Sequence, residues 1–197
     1  MTGASRAEAA AEVEATVRRI FHYAAWADKF DGAVHQPPLR GVALAMNEPL
    51  GVLGIVCPDE APLLAFASLW APALAMGNRV VIVPSERHPL AATDFYQVLD
   101  TSDVPGGVLN IVTGPRDALA DVMALHDDVD AVWYMAGAAD AKAGGSGKVE
   151  RATSADLKRC WVDNGLARDW ASPAAGQGRE FLRRATQVKN IWIPCGE

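Results

Sequence analysis

EPLGVLGIVCP at Glu48–Pro58, GNRVVIVPSE at Gly77–Glu86 and PGGVLNIVTG at Pro105–Gly114 are the segments that decide the fold. Each contains a short aliphatic run that ends at a proline or a glycine, which is typical of a strand followed by a turn. The run Arg79–Val83 is almost continuously hydrophobic, as expected at the centre of a parallel sheet. Leu63–Met76 is apolar on nearly every face, so it is predicted to be a buried helix.

Strands and helices are predicted to alternate regularly through the middle of the chain. Predicted strands end at Val56, Val83, Val112 and Tyr134, about 22 to 29 residues apart, which is the length of one strand-helix-strand unit. Such units build an open parallel sheet with helices on both faces, so the predicted fold is α/β and Rossmann-like. In full, strands are predicted at 42–46, 51–56, 79–83, 108–112, 130–134, 157–162 and 188–193, with a turn at 47–49.

The remaining segments are predicted from shorter signals. Ser5 and Glu8 have the spacing of a capping box, which marks the start of a helix. Apolar residues then recur at helical spacing and are expected to be buried: Val13, Val17, Ile20, Phe21 and Ala24. The Pro-Pro pair within His35–Leu39 indicates a linker, Ala136–Lys148 a weak helix diluted by glycines, and Gly178–Ala185 a short amphipathic helix.

Composition and charge exclude several classes of protein. The 197 residues carry a net charge of −6 without a basic stripe, which argues against a nucleic-acid partner. The longest apolar stretch, Pro62–Gly77, is too short to span a membrane. The acidic N-terminal segment is typical of neither a secretory signal nor a transit peptide, so a cytoplasmic location is expected. Cys57, Cys160, Cys195 and the four histidines have no metal-binding or disulfide spacing.

The three quoted segments, in this order around an apolar helix, resemble the aldehyde dehydrogenase superfamily. The resemblance covers about Ala9 to Gly165, and ATQVKNIWI at Ala185–Ile193 is similar to that family's C-terminal oligomerisation strand. More narrowly, AAWADKFDGAVHQPPLRGVALAMNEP at Ala24–Pro49 is similar to the second, degenerate domain of the sixteenth aldehyde dehydrogenase family. The resemblance implies an N-terminal helix and linker at 1–40, an NAD domain at 41–165, and a tail at 166–197 with a short helix and an oligomerisation strand.

The resemblance also implies a degenerate cofactor cleft, formed by Pro58, Pro84, Ser85, Glu86, Gly114 and Gly137. In the family, a lysine and a glutamate bind the adenosine ribose hydroxyls, and here the lysine is replaced by Val83 while Glu86 remains. The pyrophosphate loop of the family aligns with Tyr134–Ala139, which lacks the family's serine, although Gly137 still permits close approach of an anion. Tight cofactor binding is therefore not expected, and NAD(P) is expected to bind weakly.

The residues of catalysis are expected to be missing. The asparagine that stabilises the oxyanion in the family is replaced by Glu60, and losing one such donor typically costs ~10²–10³ in rate. The general-base glutamate is replaced by Val162, while Asp163 points to the opposite face of the strand. The domain that carries the family's nucleophilic cysteine is not encoded between Gly165 and the tail, so the chain is expected to be a truncated member without catalytic residues.

Some residues have both a structural and a functional interpretation. Cys57 and Cys160 are expected to be structural thiols rather than nucleophiles. Asp59 and Glu60 are expected to cap the helix that begins at Pro62, with paired acid–base chemistry as the alternative. Glu86 is either a ribose ligand or a residue with a plain surface or helix-capping role. The basic residues of the tail form either a solvated face or an interface: Arg179, Arg183, Arg184 and Lys189.

Three functions follow from these features. The leading hypothesis is a non-catalytic domain that associates with a copy of itself or with a catalytic aldehyde dehydrogenase. The predicted interface is the terminal strand, because an exposed strand edge tends to pair, and it carries Val188, Ile191, Trp192 and Ile193. One alternative is an NAD(P)-dependent oxidoreductase fragment or subunit acting on aldehydes, and the other is a pseudoenzyme that senses a nucleotide.

Overall fold

The structure is a computed structural model that describes residues 2–38, 40–135, 137, 145–164 and 166–194. Its strands form two sheets, one of five strands and one of three. The helices are α1 (Arg6–Ala24), α2 (Pro62–Ala75), α3 (Leu90–Asp100), α4 (Arg116–Leu125), α5 (Gly145–Thr153) and α6 (Arg179–Arg184). The strands are β1 (Ala33–His35), β2 (Gly41–Pro49), β3 (Val52–Val56), β4 (Arg79–Val83), β5 (Leu109–Ile111), β6 (Ala131–Tyr134), β7 (Arg159–Val162) and β8 (Thr186–Pro194).

The larger sheet is parallel and has the strand order β5-β4-β3-β6-β7. The chain enters it at the central strand β3, builds outward through β4 and β5, and then returns to the other side of β3 with β6 and β7. Between β3 and β6 the direction of winding reverses, and ligands of open α/β sheets bind in the crevice outside such a reversal. The predicted α/β, Rossmann-like fold is confirmed.

Helices cover both faces of the parallel sheet. On one face α2 is buried along its whole length, and Phe66 and Trp70 pack there with Tyr23 of α1 and Phe181 of α6 in a single core. On the other face α4 and α5 contribute Met123 and Val149 to a second, smaller core. The near-complete apolarity of α2, which predicted a buried helix, therefore reflects packing against the sheet beneath it and three helices around it.

The smaller sheet is antiparallel and joins the two ends of the chain. β2 pairs with β8 over nine residues, from Gly41 opposite Pro194 to Pro49 opposite Thr186, and β1 pairs with the other edge of β2. The C-terminal strand predicted from the sequence is confirmed and is three residues longer than the predicted 188–193. Its inner edge is occupied within the chain by β2.

Asn78 fixes the small sheet onto the large one. Its buried side-chain oxygen accepts hydrogen bonds from the backbone amides of Leu50 (2.8 Å) and Gly51 (3.1 Å), where β2 turns into β3. Its nitrogen donates to the carbonyls of Ala73 (3.0 Å) and Ala185 (2.8 Å), at the ends of α2 and α6. One side-chain amide therefore makes four hydrogen bonds to backbone groups at the junction of the two sheets.

The segment between β7 and α6 is held against the body by Arg19 of α1. The buried guanidinium donates to Ser68 of α2, to the carbonyls of Trp170 (2.8 Å) and Gly176, and to the side chain of Gln177 (2.9 Å). Among the described residues these acceptors are all neutral, and burial lowers the pKa of Arg19. Desolvation of the cation is offset by these four charge-assisted hydrogen bonds.

Two predictions for the first fifty residues are wrong. Most of the predicted apolar stripe of α1 is not buried: Val13, Val17 and Phe21 are 46–71 % exposed and Ala24 is exposed, while Ile20 alone of the five packs partly buried against the core, beside the buried Arg19 and Tyr23. The face of α1 that carries Arg19 and Tyr23 points inward because both side chains make hydrogen bonds there. Arg19 makes the network described above, and the Gly178 amide donates to the Tyr23 hydroxyl (3.2 Å). In this helix, hydrogen bonding therefore outweighs hydrophobicity in the choice of the buried face.

The second error concerns the region 33–49. The predicted turn at 47–49 lies inside β2, which continues to Pro49 because β8 supplies a partner for every residue of it. The predicted linker at His35–Leu39 is confirmed for residues 36–38, which are in neither a helix nor a strand, whereas His35 ends β1 and Leu39 lies outside the described residues. The strand β1 has no signal in the sequence. β2 thus belongs to the small sheet, although the sequence places it at the start of the dinucleotide domain. The capping box of Ser5 and Glu8 is confirmed.

Replacing Arg19 with methionine is expected to destabilise the chain by about 3 kcal/mol, because it leaves several buried carbonyl and hydroxyl groups without their donor. For a chain of this size, that corresponds to a fall in Tm of roughly 6–12 °C. Thermal unfolding followed by circular dichroism measures it. Arg18→Met is the matched control. Arg18 directly precedes Arg19 on α1, is exposed, and forms an ion pair with Glu14 on the same helix. Equal melting temperatures for the two variants would contradict the role assigned to Arg19.

Candidate functional site

The residues predicted for the cofactor cleft lie together at the carboxyl end of the parallel sheet. Pro58 follows β3, Glu86 follows β4 after the buried Pro84 and Ser85, Gly114 follows β5 and Gly137 follows β6. Parallel strands place their carboxyl ends at one edge, which explains why residues up to 79 positions apart converge. The structure therefore brings the whole predicted set to the carboxyl edge of the parallel sheet, with Pro58 and Gly137 on either side of the winding reversal.

Asp59 organises the side of the crevice between β3 and β4. Its Oδ1 accepts hydrogen bonds from the Ser85 hydroxyl (2.6 Å) and from the Arg87 amide (3.2 Å), and Ser85 in turn accepts from the His88 amide (3.0 Å). Burial acts to raise the pKa of Asp59, but these hydrogen bonds and the nearby guanidiniums of Arg116 and Arg87 outweigh it and lower the pKa. Ser85, a predicted cofactor contact, thus donates its hydroxyl to this carboxylate.

Glu86 contacts the start of a neighbouring helix. Its Oε2 accepts a hydrogen bond from the backbone amide of Arg116 (3.0 Å), and Arg116 is the first residue of α4. A carboxylate at this position satisfies an unpaired helical amide and complements the helix dipole. Of the two interpretations open for Glu86, the geometry supports a helix-capping role, and it couples the loops that follow β4 and β5.

Glu60 occupies the space beside the glycine of the pyrophosphate loop. A Cβ placed on Gly137 would lie only 2.5 and 2.6 Å from the two carboxylate oxygens of Glu60, so the carboxylate lies directly against this glycine. Gly137 follows β6 and Glu60 follows β3, which are the two strands on either side of the winding reversal. The backbone surface that the family resemblance assigns to a pyrophosphate is therefore covered by an anion of the chain itself.

Arg116 is a buried cation in this crevice that the sequence did not reveal. Only 7 % of the residue is exposed, and its Nη1 lies 3.8 Å from Asp59 Oδ2. Burial raises the pKa of the nearby Cys57 thiol far above its usual range, although the charge of Arg116 acts in the opposite direction. A lone arginine after Gly114 and Pro115 has no spacing or periodicity that predicts its burial.

The position that the family resemblance assigns to the general base is occupied by a valine. Val162, at the general-base position, packs its half-buried side chain into the smaller core. Asp163 forms a bidentate ion pair with Arg168, with Oδ2 3.0 Å from Nε and Oδ1 2.8 Å from Nη2. The pKa of the Cys160 thiol is raised by burial, against the lowering effect of a hydrogen bond with Thr153, so this thiol stays protonated at neutral pH.

The expectation that Asp59 and Glu60 cap α2 is wrong. The two carboxylates face Ser85 and Gly137, and Ala61 precedes α2 in the left-handed conformation without a capping side chain. The helix start is instead capped by Glu12 of α1, whose Oε1 accepts from the amides of Leu63 (2.9 Å) and Leu64 (3.1 Å). Sequence proximity favoured a local cap, whereas the packing of α1 on α2 brings in a distant one.

The predicted interface residues lie on β8 in the small sheet, remote in the fold from the crevice. Val188, Trp192 and Ile193 are 48–61 % exposed, and Ile191 is partly buried. Cys195 and most of the loop after β6, including Asp140, lie outside the described residues. In the described part of the chain, no three His, Cys, Asp or Glu side chains converge to hold a metal ion, and no helix is long and apolar enough to cross a membrane.

Comparison with known proteins identifies the family. The family model described as "Aldehyde dehydrogenase family" matches residues 1–165. The chain belongs to the aldehyde dehydrogenase family. It is 33% identical over 165 residues to the betaine aldehyde dehydrogenase of Bacillus subtilis, covering 83% of this chain and 33% of that protein. It is 31% identical over 154 residues to the NADP/NAD-dependent aldehyde dehydrogenase PuuC of Escherichia coli, covering 78% and 30%.

Solved structures place the fold within the same family. An apo betaine aldehyde dehydrogenase from Staphylococcus aureus superimposes with a TM-score of 0.73 at 25% identity, covering 81% of this chain and 31% of that one. Lactaldehyde dehydrogenase from Escherichia coli gives a TM-score of 0.70 at 27% identity, covering 77% and 31%. This aldehyde dehydrogenase family member thus spans about a third of the length of the relatives that it matches.

The carboxylate beside Gly137 leads to a prediction for NAD. We expect the native chain to bind NAD with a millimolar dissociation constant, on the order of −4 kcal/mol, because the pyrophosphate would meet the charge of Glu60. Glu60→Gln removes that charge and is expected to tighten binding about threefold to tenfold in isothermal titration calorimetry. Glu14→Gln, an equal charge change on the exposed face of α1, is the control. A micromolar constant for the native chain, or no difference between the variants, would refute this account of the crevice.

Proposed function

We propose that this aldehyde dehydrogenase family member is a non-catalytic domain whose role is association, either with a second copy of itself or with a catalytic aldehyde dehydrogenase. The observation that carries the proposal is the three-stranded sheet β1-β2-β8, which leaves apolar side chains exposed on both faces. A small sheet of this kind is stabilised when an apolar face or a free edge is covered.

The aliphatic face of the small sheet is defined by the register of its strands. Val34, Leu44 and Ile191 are opposite one another across the three strands, and Val42 is opposite Ile193 on the same face. Val34 is 73 % exposed and Ile193 is 48 % exposed, whereas Val42, Leu44 and Ile191 are partly buried, so the row is open to solvent chiefly at its two ends. Covering such a row on association contributes roughly 25 cal/mol per Å² of apolar surface.

The opposite face and the outer edge of β8 extend the same surface. Trp192 lies opposite Ala43, and its indole covers Gly41. Tryptophan that is largely exposed in one chain is a frequent anchor at protein interfaces. Within the described residues only β2 pairs with β8, so every second backbone amide of β8 points away from the sheet. A further strand can add along this edge through main-chain hydrogen bonds.

We also propose that the chain lacks aldehyde oxidation of its own and binds NAD(P) weakly. Support comes from Glu60 against Gly137, from Val162 at the base position and from the protonated thiols of Cys57 and Cys160. The finer placement, in the second domain of the sixteenth aldehyde dehydrogenase family, rests on the resemblance of Ala24–Pro49. With that placement, the catalytic partner is an aldehyde dehydrogenase joined to or bound by this domain.

Catalytic inactivity is tested directly with the purified chain. Incubated with NAD or NADP and a panel of aliphatic and aromatic aldehydes, it is expected to give no increase in absorbance of reduced nicotinamide above buffer. The physical reason is that no described thiol is activated and no carboxylate is free at the position of the base. Turnover that disappears in Cys160→Ala would overturn inactivity and favour the oxidoreductase-subunit alternative.

Association through the small sheet is tested by sedimentation velocity of the native chain and of Ile193→Lys. A lysine on the aliphatic face places a charge where apolar surface would be buried on association. A point substitution is preferred to a truncation of β8, because the truncation would also remove the strand that pairs with β2. We expect at least a tenfold weaker association, from a loss of roughly 1.5–3 kcal/mol. The measurement is made on the chain alone and mixed with a full-length aldehyde dehydrogenase of the same organism.

The control for this experiment is Val122→Lys. Val122 is 59 % exposed on α4, which packs on the parallel sheet and is not part of the small sheet, and its replacement has the same change in charge and polarity. It is expected to leave association unchanged. A native chain that is monomeric both alone and in the mixture, or equal effects of the two lysine variants, would leave association through this sheet without support.

A further inference from the structure

The edge strand β7 has a free side of its own, separate from the small sheet. β7 lies at the end of the parallel sheet and pairs only with β6 among the described residues. The amides of Arg159 and Asp163 donate to carbonyls at Asp130 (3.4 Å) and Tyr134 (3.3 Å), on the β6 side. Since backbone groups alternate along a strand, those of Cys160 and Val162 point outward, away from the sheet.

A cleft of about 530 Å³ lies between β7 and α6. It is lined by Arg159, Cys160 and Trp161 of β7, with Trp133 beneath them, and by residues of α6 on its other wall. The α6 wall consists of Glu180, Arg183 and Arg184. Charged side chains of β7 and of α6 therefore line one space next to the edge strand.

The cleft is positive on a chain that is negative overall. Three guanidiniums, those of Arg159, Arg183 and Arg184, line it together with the single carboxylate of Glu180, while the whole chain has a net charge of −6. Arg184 stacks on Trp161 at 5.3 Å from the ring centroid and lies 3.9 Å from Glu180. A local reversal of charge inside a concave site favours an anionic ligand.

The other arginines of this region are committed elsewhere. Arg168 is paired with Asp163 and stacks on Trp161, Trp170 and Phe181. Arg179 does not line the cleft; it stacks on Trp26 and Phe30, which follow the end of α1. The arginines of α6 are thus divided by the packing: one anchors the helix, and two line the cleft beside β7.

We propose that the outer edge of β7 binds an extended acidic peptide segment, which adds to the parallel sheet as a sixth strand. Its backbone would exchange hydrogen bonds with the outward groups of Cys160 and Val162. Carboxylates at every second residue would lie on the face shared by Arg159 and Trp161, within reach of the arginines of α6. A free edge provides affinity through the main chain, and the guanidiniums select for acidic side chains.

A peptide fits these observations better than a small anion does. A small anion would use the guanidiniums but leave the outward amide and carbonyl groups of β7 unpaired. An extended segment uses both, since side chains two residues apart project to the same side of a strand. The surface differs from the small sheet, so the proposal stands or falls independently of association through β8.

The test uses the full chain and a fluorescein-labelled peptide, Ac-TEVEVET-amide, followed by fluorescence anisotropy. The peptide is expected to bind, and the lysine analogue Ac-TKVKVKT-amide is not. A triple variant, Arg159→Gln with Arg183→Gln and Arg184→Gln, is expected to weaken binding about tenfold. Its matched control removes three exposed arginines elsewhere, Arg6→Gln with Arg40→Gln and Arg151→Gln, and is expected to leave binding unchanged.

Two further probes separate strand addition from simple charge attraction. One peptide is N-methylated at its three glutamate amides and another at its two valine amides. One of the two must lose binding, because one set of amides faces β7 in an added strand. Citrate, a small tricarboxylate, is expected not to displace the labelled peptide at equal charge concentration. Equal binding by the triple variant and the native chain, retained binding of both methylated peptides, or full displacement by citrate would each overturn the proposal.

Discussion

The four hydrogen bonds of the Asn78 side chain are the constraint on which the rest of the structure depends. They join the entry of β3, the end of α2 and the entry of β8, so the small antiparallel sheet and the large parallel sheet meet at one buried amide. Once these junctions are fixed, β2 and β8 are held side by side and pair along their full length. The chain thereby brings β2 and its last strand β8 together, and the outer edge of β8 is presented to solvent.

At the opposite end of the parallel sheet, the chain's own charges fill the crevice that the fold provides for a ligand. Asp59 pairs with Ser85 and Arg116, Glu86 caps α4, and Glu60 lies against Gly137. Each of these contacts ties together two strand-end loops, and they satisfy polar groups that a bound anion would otherwise meet. The same contacts connect the strand-end loops and place a carboxylate where the family resemblance assigns a phosphate, which agrees with the proposed structural role of the domain.

The parallel sheet is predictable from the sequence because its signals are local. Arg79–Val83 and the apolar α2 gave the right elements, and the strand ends placed Pro58, Ser85 and Gly137 at one edge. What the sequence did not reveal depends on distant partners. Among the described residues β1 pairs only with β2, and Glu12 caps a helix that begins fifty residues later. The buried Arg116 lies beside Asp59, which is also distant in the sequence. The prediction that the apolar stripe of α1 is buried was wrong for the same reason, since the hydrogen bonds of Arg19 to distant residues determine which face of the helix points inward.

The most direct test of the account is backbone amide hydrogen exchange along β8, measured by NMR at increasing concentration of the chain and then with a full-length aldehyde dehydrogenase. In the single chain, alternate amides of Thr186–Pro194 are bonded to β2 and the others are open to solvent. Association through this edge predicts that the open amides become protected as the complex forms, while the β2-bonded amides are protected throughout. Open amides that exchange at the unprotected rate under every condition would contradict it.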